Sequence, residues 1–570
     1  MTNSGTASST EEFTGWPERF VRTYVREGYW RGEPLGSMIA RRARTWADRL
    51  CLVDGDTRIT YGELMARADG LAGSLVELGI RPGDRVAVQL PNCWQHVVLT
   101  IACLRLGSPP VWVNPRYGVR ELAAVLARSG ARAVAVADRS RQDDPQETAR
   151  GAARACGTLE HVLVTGARVN AENVPLDELC GPEARRSGGA PTDLSPPDPR
   201  SIAVLKLSGG TTGALPKVVP RTHDDLAYMI TRAGELCGFG PRTIYLAVLP
   251  LAHGFVNTGP GVLGTLLTGG RVVLSPSPSP EVALDLVAQE GVTVTSVVPA
   301  ILNRWLEYQS SPAAVDTRSL ELLQVGAARL EPSVARRVHP VLGCSLQQVF
   351  GMSEGLLCLT RIDDPEDVVL HTQGRPISPG DEIKVVDPSG EPVPTGTPGA
   401  LLTRGPYTPR GYYRSPELDA RHYTTDGWYR TGDLVRMAPD GNLTVVGREK
   451  DVINRNGEKI NAEEVEELAL AIEGVQEAAA VAAPDTDTGE RVCLFVVTRP
   501  DVALGLKQVR QDMVNLGLTR FKLPTQLIVV DGLPRTELGK IDKFALRAMA
   551  VRDGRPDDSP QSAPSQAEPS

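Results

Sequence analysis

Leu207-Ser-Gly-Gly-Thr-Thr-Gly-Ala-Leu-Pro-Lys217 gathers three glycines, three hydroxyl side chains and a closing lysine into one short stretch. Gly209, Gly210 and Gly213 permit backbone angles that a side chain would block. Successive N–H groups can then point at a single anion. Ser208, Thr211 and Thr212 add hydroxyl donors, and Lys217 adds a mobile point charge. The pattern describes a loop that grips the phosphates of a nucleotide. It is not a Walker A loop, because no Ser or Thr follows Lys217 and no Gly directly precedes it. Glycine and threonine are also common in plain surface turns, and the stretch alone leaves that reading open.

Upstream, 201–207 is a short apolar strand that delivers the chain into the loop. Before it, Leu64, Ala68, Leu71, Leu75 and Leu78 recur at helical spacing over 62–78. A strand at 86–90, a helix at 94–106, a strand at 111–113, a helix at 119–129 and a strand at 133–136 follow. Such alternation points to parallel sheets in a layered α/β fold. Further strands are expected at 244–248, 272–274, 292–298, 322–325 and 346–349. The last two end where a nucleotide should sit, beyond the carboxyl ends of strands. From about Ile383, short strands between Pro/Gly turns describe a small β subdomain. After Gly447 comes a separate unit of roughly a hundred residues. Its helices are expected at 462–472 and near 506–516, and its strands at 478–482 and 493–497. Residues 185–200 read as a surface connection. Residues before Trp16 read as loose, and the tail from Asp553 as disordered.

The chain has 570 residues, 41% hydrophobic and 23% charged, which is ordinary for a soluble globular protein. A formal net charge of -8 argues against a general nucleic-acid surface. Nine cysteines without a C-x-x-C pair read as reduced thiols. The N-terminus lacks the pattern of a signal peptide, and apolar runs such as 97–103 are too short to span a bilayer. The expectation is a cytoplasmic protein with neither nucleic acid nor membrane as partner.

The glycine-rich loop keeps specific company: Gly351-Met-Ser-Glu354, Tyr429-Arg-Thr-Gly-Asp433, Gly447-Arg-Glu-Lys-Asp451 and Pro534-Arg-Thr-Glu-Leu-Gly-Lys540. With these motifs the chain resembles the adenylate-forming enzyme superfamily of acyl-CoA synthetases, peptide-synthetase adenylation domains and luciferases. Pro220-Arg-Thr-His-Asp-Asp225, Val273-Leu-Ser-Pro-Ser-Pro-Ser-Pro280, Gln347-Gln-Val-Phe-Gly351 and Leu402-Thr-Arg-Gly-Pro-Tyr407 narrow the resemblance to the 2,3-dihydroxybenzoate–AMP ligases. It covers about 30–547. It implies a large N-terminal domain of layered α/β sheets with a small β subdomain, and a mobile small α+β C-terminal domain. The divisions expected are an N-terminal extension (1–29), a large adenylation domain (30–447), a small domain with the catalytic lysine (448–550) and a disordered tail (551–570).

The resemblance also implies roles. Ser208, Gly209, Gly210, Thr211, Thr212, Gly213 and Lys217 would hold the departing β,γ-phosphates of ATP. Glu354 would serve Mg²⁺, which prefers oxygen ligands and keeps several waters. Gly326, Ala327, Val349 and Phe350 would border the nucleotide. Asp433 would accept from both ribose hydroxyls, and Arg448 would meet the ribose or phosphate side. Lys540 would be the catalytic residue, binding a carboxylate oxygen and the α-phosphate as charge builds. Lys450 would be the hinge, and Lys459 would face the site in the thioester-forming state. His253 would border the acid's carboxylate, a core or capping histidine being equally compatible with the sequence.

The acid pocket departs from the resemblance. Where the dihydroxybenzoate ligases have an Asn, an aromatic residue and a Ser that meet the ring, this chain has Gly254, Phe255 and Gly259. Ala328 completes the pocket, Ser353 replaces an Ala, and Leu357 replaces a Val. Two polar contacts vanish and space is expected to open beside them, lowering preference for the hydroxylated ring. Asn257 could restore a polar contact from a shifted position. The implied function is ATP-dependent conversion of an aryl acid to aryl-AMP and pyrophosphate. The acyl group then passes to the phosphopantetheine thiol of a separate carrier protein, priming nonribosomal peptide or siderophore biosynthesis. Hydroxy- or aminobenzoates, 3-hydroxyanthranilates, picolinates and bicyclic quinoline acids are the substrates considered. An aryl-CoA ligase using free CoA, a 2,3-dihydroxybenzoate or salicylate ligase, and a non-catalytic nucleotide-binding protein are the alternatives.

Overall fold

A computed structural model describes residues 13–140, 144–154, 156–181, 194–208, 216–328, 330, 332–387, 389–448, 452–499, 502–534 and 541–552. Its large N-terminal part is built on two mixed sheets. One runs Arg375–Pro376, Gly355–Leu359, Ser345–Met352, Leu322–Gly326, Val294–Val297, Ile244–Ala247, Arg271–Leu274, Leu50–Asp54, Thr57–Thr60. Its six central strands are parallel and its edges antiparallel. The other runs Val174–Pro175, His161–Thr165, Ala131–Ala137, Arg85–Gln89, Pro110–Trp112, Ile202–Ser208, Lys217–Thr222, with only the last pair antiparallel.

The helices Leu35–Thr45, Tyr61–Glu77 and Trp94–Leu106 pack on one another in the core that both sheets share. One apolar cluster runs from Val86 and Val88, through Leu64 and Leu99, to Leu246 and Val272. Alternate strand residues Ala87, Val111 and Val134 face the opposite way, onto Leu122 and Leu126 of the helix Val119–Ser129. The helix Tyr61–Glu77 starts on a reciprocal cap, with Thr60 accepting from the Glu63 N–H and Glu63 accepting from the Thr60 N–H. Losing the Thr60 hydroxyl should cost about 1 kcal/mol. The helix Trp94–Leu106 ends at Gly107, whose φ of 72° suits glycine.

The strands Glu382–Val386, Gly399–Arg404, Tyr429–Met437 and Leu443–Arg448 form the expected β subdomain. The smaller C-terminal part carries a sheet ordered Glu458–Asn461, Val452–Arg455, Gly489–Thr498, Val475–Asp485, with Gln526–Val529 also paired to Gly489–Thr498. The helices Ala462–Leu470 and Leu506–Asn515 cover one face and Lys543–Arg552 the other. A helix absent from the sequence reading, Glu18–Arg26, lies in an aromatic cluster of Trp16, Phe20, Tyr24, Tyr29 and Trp30. The guanidinium groups of Arg404 and Arg410 stack on Phe20, and the Trp30 indole N–H donates to the Pro406 carbonyl at 2.9 Å. None of the nine cysteines forms a disulfide. Among the described residues no helix is long and apolar enough to cross a membrane.

Candidate active site

The glycine-rich stretch joins two paired strands, and Ser208 sits directly opposite Lys217 across the ladder. Residues 209–215, with Gly209, Gly210, Thr211, Thr212 and Gly213, lie outside the described residues. Both ends of the stretch meet Glu354, which occupies the turn between Ser345–Met352 and Gly355–Leu359. The Glu354 carboxylate is 3% exposed and accepts from the Tyr412 hydroxyl at 2.9 Å and from the Ser208 hydroxyl. Burial alone would raise its pKa. Lys217, the Ser208 hydroxyl, Lys459 and the Tyr412 hydroxyl together hold it below the ordinary value. Lys217 itself is buried, donates to His422 Nε2 at 2.9 Å and lies 5.1 Å from the centre of the Tyr412 ring.

Arg221 fixes this turn, a role the sequence reading missed. It is fully buried, pairs with Asp225 at 2.7 Å and donates to the Ser353 carbonyl at 3.3 Å. Asp225 also caps the helix His223–Leu236 through a reciprocal box with Thr222. The stretch Pro220–Asp225 thus welds the lysine-bearing strand to the Glu354 turn.

Around the other residues expected to border the nucleotide the backbone is tight. A Cβ on Gly326 would stand 2.7 Å from the Val349 carbonyl oxygen, so only glycine fits there. Ala327 follows with a left-handed φ of 67°. Val349 is buried, while Phe350 is half-buried against Leu356, Cys358 and Val435 of the β subdomain core. Asp433 is 5% exposed and pairs across the sheet with the Arg448 position.

His253 caps the short helix Gly254–Thr258. Its Nε2 is 3.3 Å from Glu458 Oε1, and Glu458 Oε2 accepts from the Asn114 amide at 2.7 Å. Burial works against the charged imidazole, but Glu458 outweighs it and raises the His253 pKa. Burial likewise works against the Glu458 carboxylate, and His253 outweighs it in turn.

The volume expected to open beside Gly254 and Gly259 is filled. A Cβ on Gly254 would stand 3.1 Å from the ammonium of Lys206. Lys206 is 3% exposed, and its ammonium donates to the Thr258 hydroxyl at 2.8 Å. Burial pushes its pKa well below the usual lysine value, Arg221 adds to that, and Asp225 opposes it. A Cβ on Gly259 would meet the carbonyl oxygen of Phe255 at 3.1 Å and its ring at 3.6 Å, and the same ring reaches within 3.2 Å of the Gly326 position. The Asn257 amide donates to the Leu251 carbonyl at 3.0 Å, folding back on its own loop. The Ser353 hydroxyl donates to the Leu207 carbonyl at 3.2 Å. Neither restores the lost contacts. Leu357 packs over Gly351, and Ala328 lies exposed beside Ala327.

From the small domain, the hairpin of Val452–Arg455 and Glu458–Asn461 inserts its turn toward His253. A Cβ on Gly457 would stand 2.8 Å from Val298, and the Asn454 amide donates to the Ala327 carbonyl. Lys459 acts electrostatically on both Glu354 and His253. Lys450 and Lys540 lie outside the described residues. Among the described residues flanking Lys540, the Asp542 N–H donates to the Pro534 carbonyl at 2.8 Å.

The site combines a buried carboxylate held ionised, a lysine on the strand that follows the glycine-rich stretch, and a histidine paired with Glu458 of the small domain. Comparison with known proteins agrees with that chemistry. The family model described as AMP-binding enzyme matches residues 39–413, and that of the AMP-binding enzyme C-terminal domain matches 464–540. A 2-hydroxy-7-methoxy-5-methyl-1-naphthoate–CoA ligase of Streptomyces carzinostaticus is 59% identical, covering 97% of this chain and 99% of that protein. A salicylyl-CoA synthase / salicylate adenylyltransferase of a Streptomyces species is 51% identical, covering 94% and 97%. The solved apo structure of MbtA from Mycobacterium smegmatis aligns with a TM-score of 0.73 at 41% identity, covering 95% of this chain and 100% of that one. On the extent of these matches, the chain belongs to the AMP-binding enzyme family.

Proposed function

We propose that this chain activates an aryl carboxylic acid with ATP, giving aryl-AMP and pyrophosphate, and then passes the aryl group to a phosphopantetheine thiol. The observation that carries the reading is the convergence of Ser208, Lys217 and Glu354 at the two ends of the glycine-rich hairpin. The large domain, 30–447, binds nucleotide and acid, and the small domain, 448–550, carries Lys540. ATP use and cysteines held outside disulfides support a cytoplasmic setting.

The residues fit a magnesium ion: Glu354 is an ionised, buried carboxylate beside the Ser208 hydroxyl, and nucleotide phosphates add the other oxygens. Bound there, Mg²⁺ neutralises phosphate charge. Lys217 and Ser208 hold the departing phosphates, and Asp433 with Arg448 orients the ribose. His253 borders the acid's carboxylate, and Lys540 meets the charge that builds at the α-phosphate. Lys206 and Phe255 replace the expected contacts at Gly254 and Gly259, which supports a substrate other than 2,3-dihydroxybenzoate. The two relatives named for a hydroxynaphthoate and for salicylate support an aryl acid.

The test is ATP–pyrophosphate exchange against a panel of aryl acids, with Lys540→Ala as control. Strong exchange with one aryl acid, falling by about two to three orders of magnitude in the control, is the expected result. Absence of exchange with every acid would return the chain to the class of nucleotide-binding proteins without catalysis.

Two acceptors bear the required thiol: a carrier protein and free CoA. The CoA reading is favoured by a cleft of about 1130 Å³ beside Asn456, lined by Arg116, Arg455, Lys507, Arg510 and Arg520 and, among the described residues, by no carboxylate. Such a lining suits the phosphates of CoA. Single-turnover thioester formation from preformed aryl-AMP, with CoA or with a phosphopantetheinylated carrier, separates the two.

A further inference from the structure

We propose that Lys206 selects, among aryl acids, those carrying an oxygen acceptor on the ring, by donating a hydrogen bond to that oxygen. The inference rests on the aryl-acid reading above and adds a residue that the motifs do not point to.

Lys206 lies in the strand Ile202–Ser208, two residues before Ser208. Residues two apart share a face of a strand and stand about 6.6 Å apart. Ser208 touches Glu354 at the phosphate end of the site. Lys206 therefore lies one ring's depth further in, where the body of an acid would rest while its carboxylate meets the nucleotide. Its ammonium stands 3.1 Å from where a side chain on Gly254 would begin, and Gly254 directly follows His253. The glycine makes that room: any larger residue at 254 would crowd the ammonium.

The ammonium has donors to spare. Lysine carries three N–H groups. Among the described residues its one hydrogen-bond acceptor is the Thr258 hydroxyl, which itself donates to the Gly254 carbonyl at 2.8 Å. Asp225, the carboxylate that acts on it, is already bound to Arg221. The Trp112 ring lies 6.0 Å from the ammonium. A buried ammonium with unspent donors gains from any oxygen acceptor placed against it. A phenolic hydroxyl or phenolate supplies one. A ring amine presents N–H groups instead and meets donor with donor.

The experiment compares kcat/KM in ATP–pyrophosphate exchange for hydroxylated aryl acids, their amino isosteres and the unsubstituted acids. Wild type, Lys206→Met and Lys206→Gln are each assayed with 2- and 3-hydroxybenzoate, 2- and 3-aminobenzoate, benzoate, 2-hydroxy-1-naphthoate and 1-naphthoate. The ratio of hydroxylated to unsubstituted acid within one preparation cancels differences in active fraction. Wild type should favour a hydroxylated acid over its amino isostere and its parent by about ten-fold or more. Lys206→Met should collapse that ratio toward one, and Lys206→Gln, which keeps an N–H donor, should retain part of it. If Lys206→Met does not accumulate as folded protein, the Gln variant carries the same comparison. An unchanged ratio in the variants, equal loss with all acids, or a wild type indifferent to the hydroxyl would overturn the proposal while leaving the aryl-acid reading intact. Exchange by the wild type with no aryl acid would overturn both.

Discussion

Glu354 is 3% exposed and still ionised, because Lys217 faces it and two hydroxyls donate to it. Glu354→Gln keeps the shape and removes the charge, leaving the oxygen-rich corner unable to complement a divalent cation. Pyrophosphate exchange should fall by about a hundred-fold or more at saturating Mg²⁺ and ATP. Activity within a few-fold of wild type, in a variant with a native melting profile, would remove Glu354 from the metal role. Glu354, Ser208 and Lys217 were legible in the sequence because their chemistry resides in contiguous motifs. Lys206 was not. Inside an apolar run it reads as one more strand residue, and its meaning comes from Gly254, which it meets only in three dimensions. Arg221 escaped notice for the same reason, since its contact is the carbonyl of Ser353.

Strands and helices of the large domain were readable wherever burial imposes a period. The helices Trp94–Leu106 and Val119–Ser129 fall on their expected bounds, each closed by a left-handed glycine. The strands Val475–Asp485 and Gly489–Thr498 run further than 478–482 and 493–497, because only their centres are buried. Glu18–Arg26 was missed because its sequence is mostly polar and its partners, Arg404 and Arg410, lie far along the chain. The hairpin Val452–Arg455 with Glu458–Asn461 is the element most tied to function, since it places Glu458 against His253. Glu458 has a lowered pKa, so its contribution is present above the ordinary carboxylate value of about 4.3 and is lost as pH falls through the lowered value. His253 has a raised pKa, so its contribution is full below about 6.5 and is lost as pH rises through the raised value. Docking of the hairpin should therefore be firmest between these limits and weaken on the alkaline side. Glu458→Gln should remove this pH dependence and slow thioester formation from preformed aryl-AMP more than it slows pyrophosphate exchange. Equal effects on both half-reactions, or an unchanged pH profile, would show that the contact does not serve the second step.

At the scale of the whole molecule, the two-part architecture followed from the change in texture after Gly447, but the contact between the parts could not be read from either one. It centres on a buried cluster in which Lys522 reaches Glu464 of the small domain at 3.0 Å and Glu121 of the large domain at 3.2 Å. Thr519 also donates to Glu121. Two carboxylates share the Lys522 ammonium, and among the described residues Glu121 Oε2 has no hydrogen-bond partner. Arg120 also acts on Glu464, so two carboxylates and two cations meet at the interface, and burial of these charges leaves the contact releasable. Burial raises the Glu464 pKa, and Lys522 only partly offsets it. Lys522→Met would remove the ammonium that both carboxylates share, leaving Arg120 as the cation acting on Glu464. Breaking a buried pair this way costs about 3–5 kcal/mol when the groups stay buried, but here separation of the domains returns Glu121 to water. The expected result is an increase in radius of gyration by small-angle X-ray scattering, with each domain still folded. Glu121→Gln acts in the opposite direction: it removes the cost of burying that carboxylate, keeps an acceptor for Lys522 and Thr519, and should hold the present arrangement more firmly. In the proposed reaction, with the small domain swinging between the two half-reactions, that variant should slow pyrophosphate exchange while its scattering profile stays compact. If Lys522→Met scatters like the wild type, or Glu121→Gln expands the molecule, the cluster is not what holds the domains together.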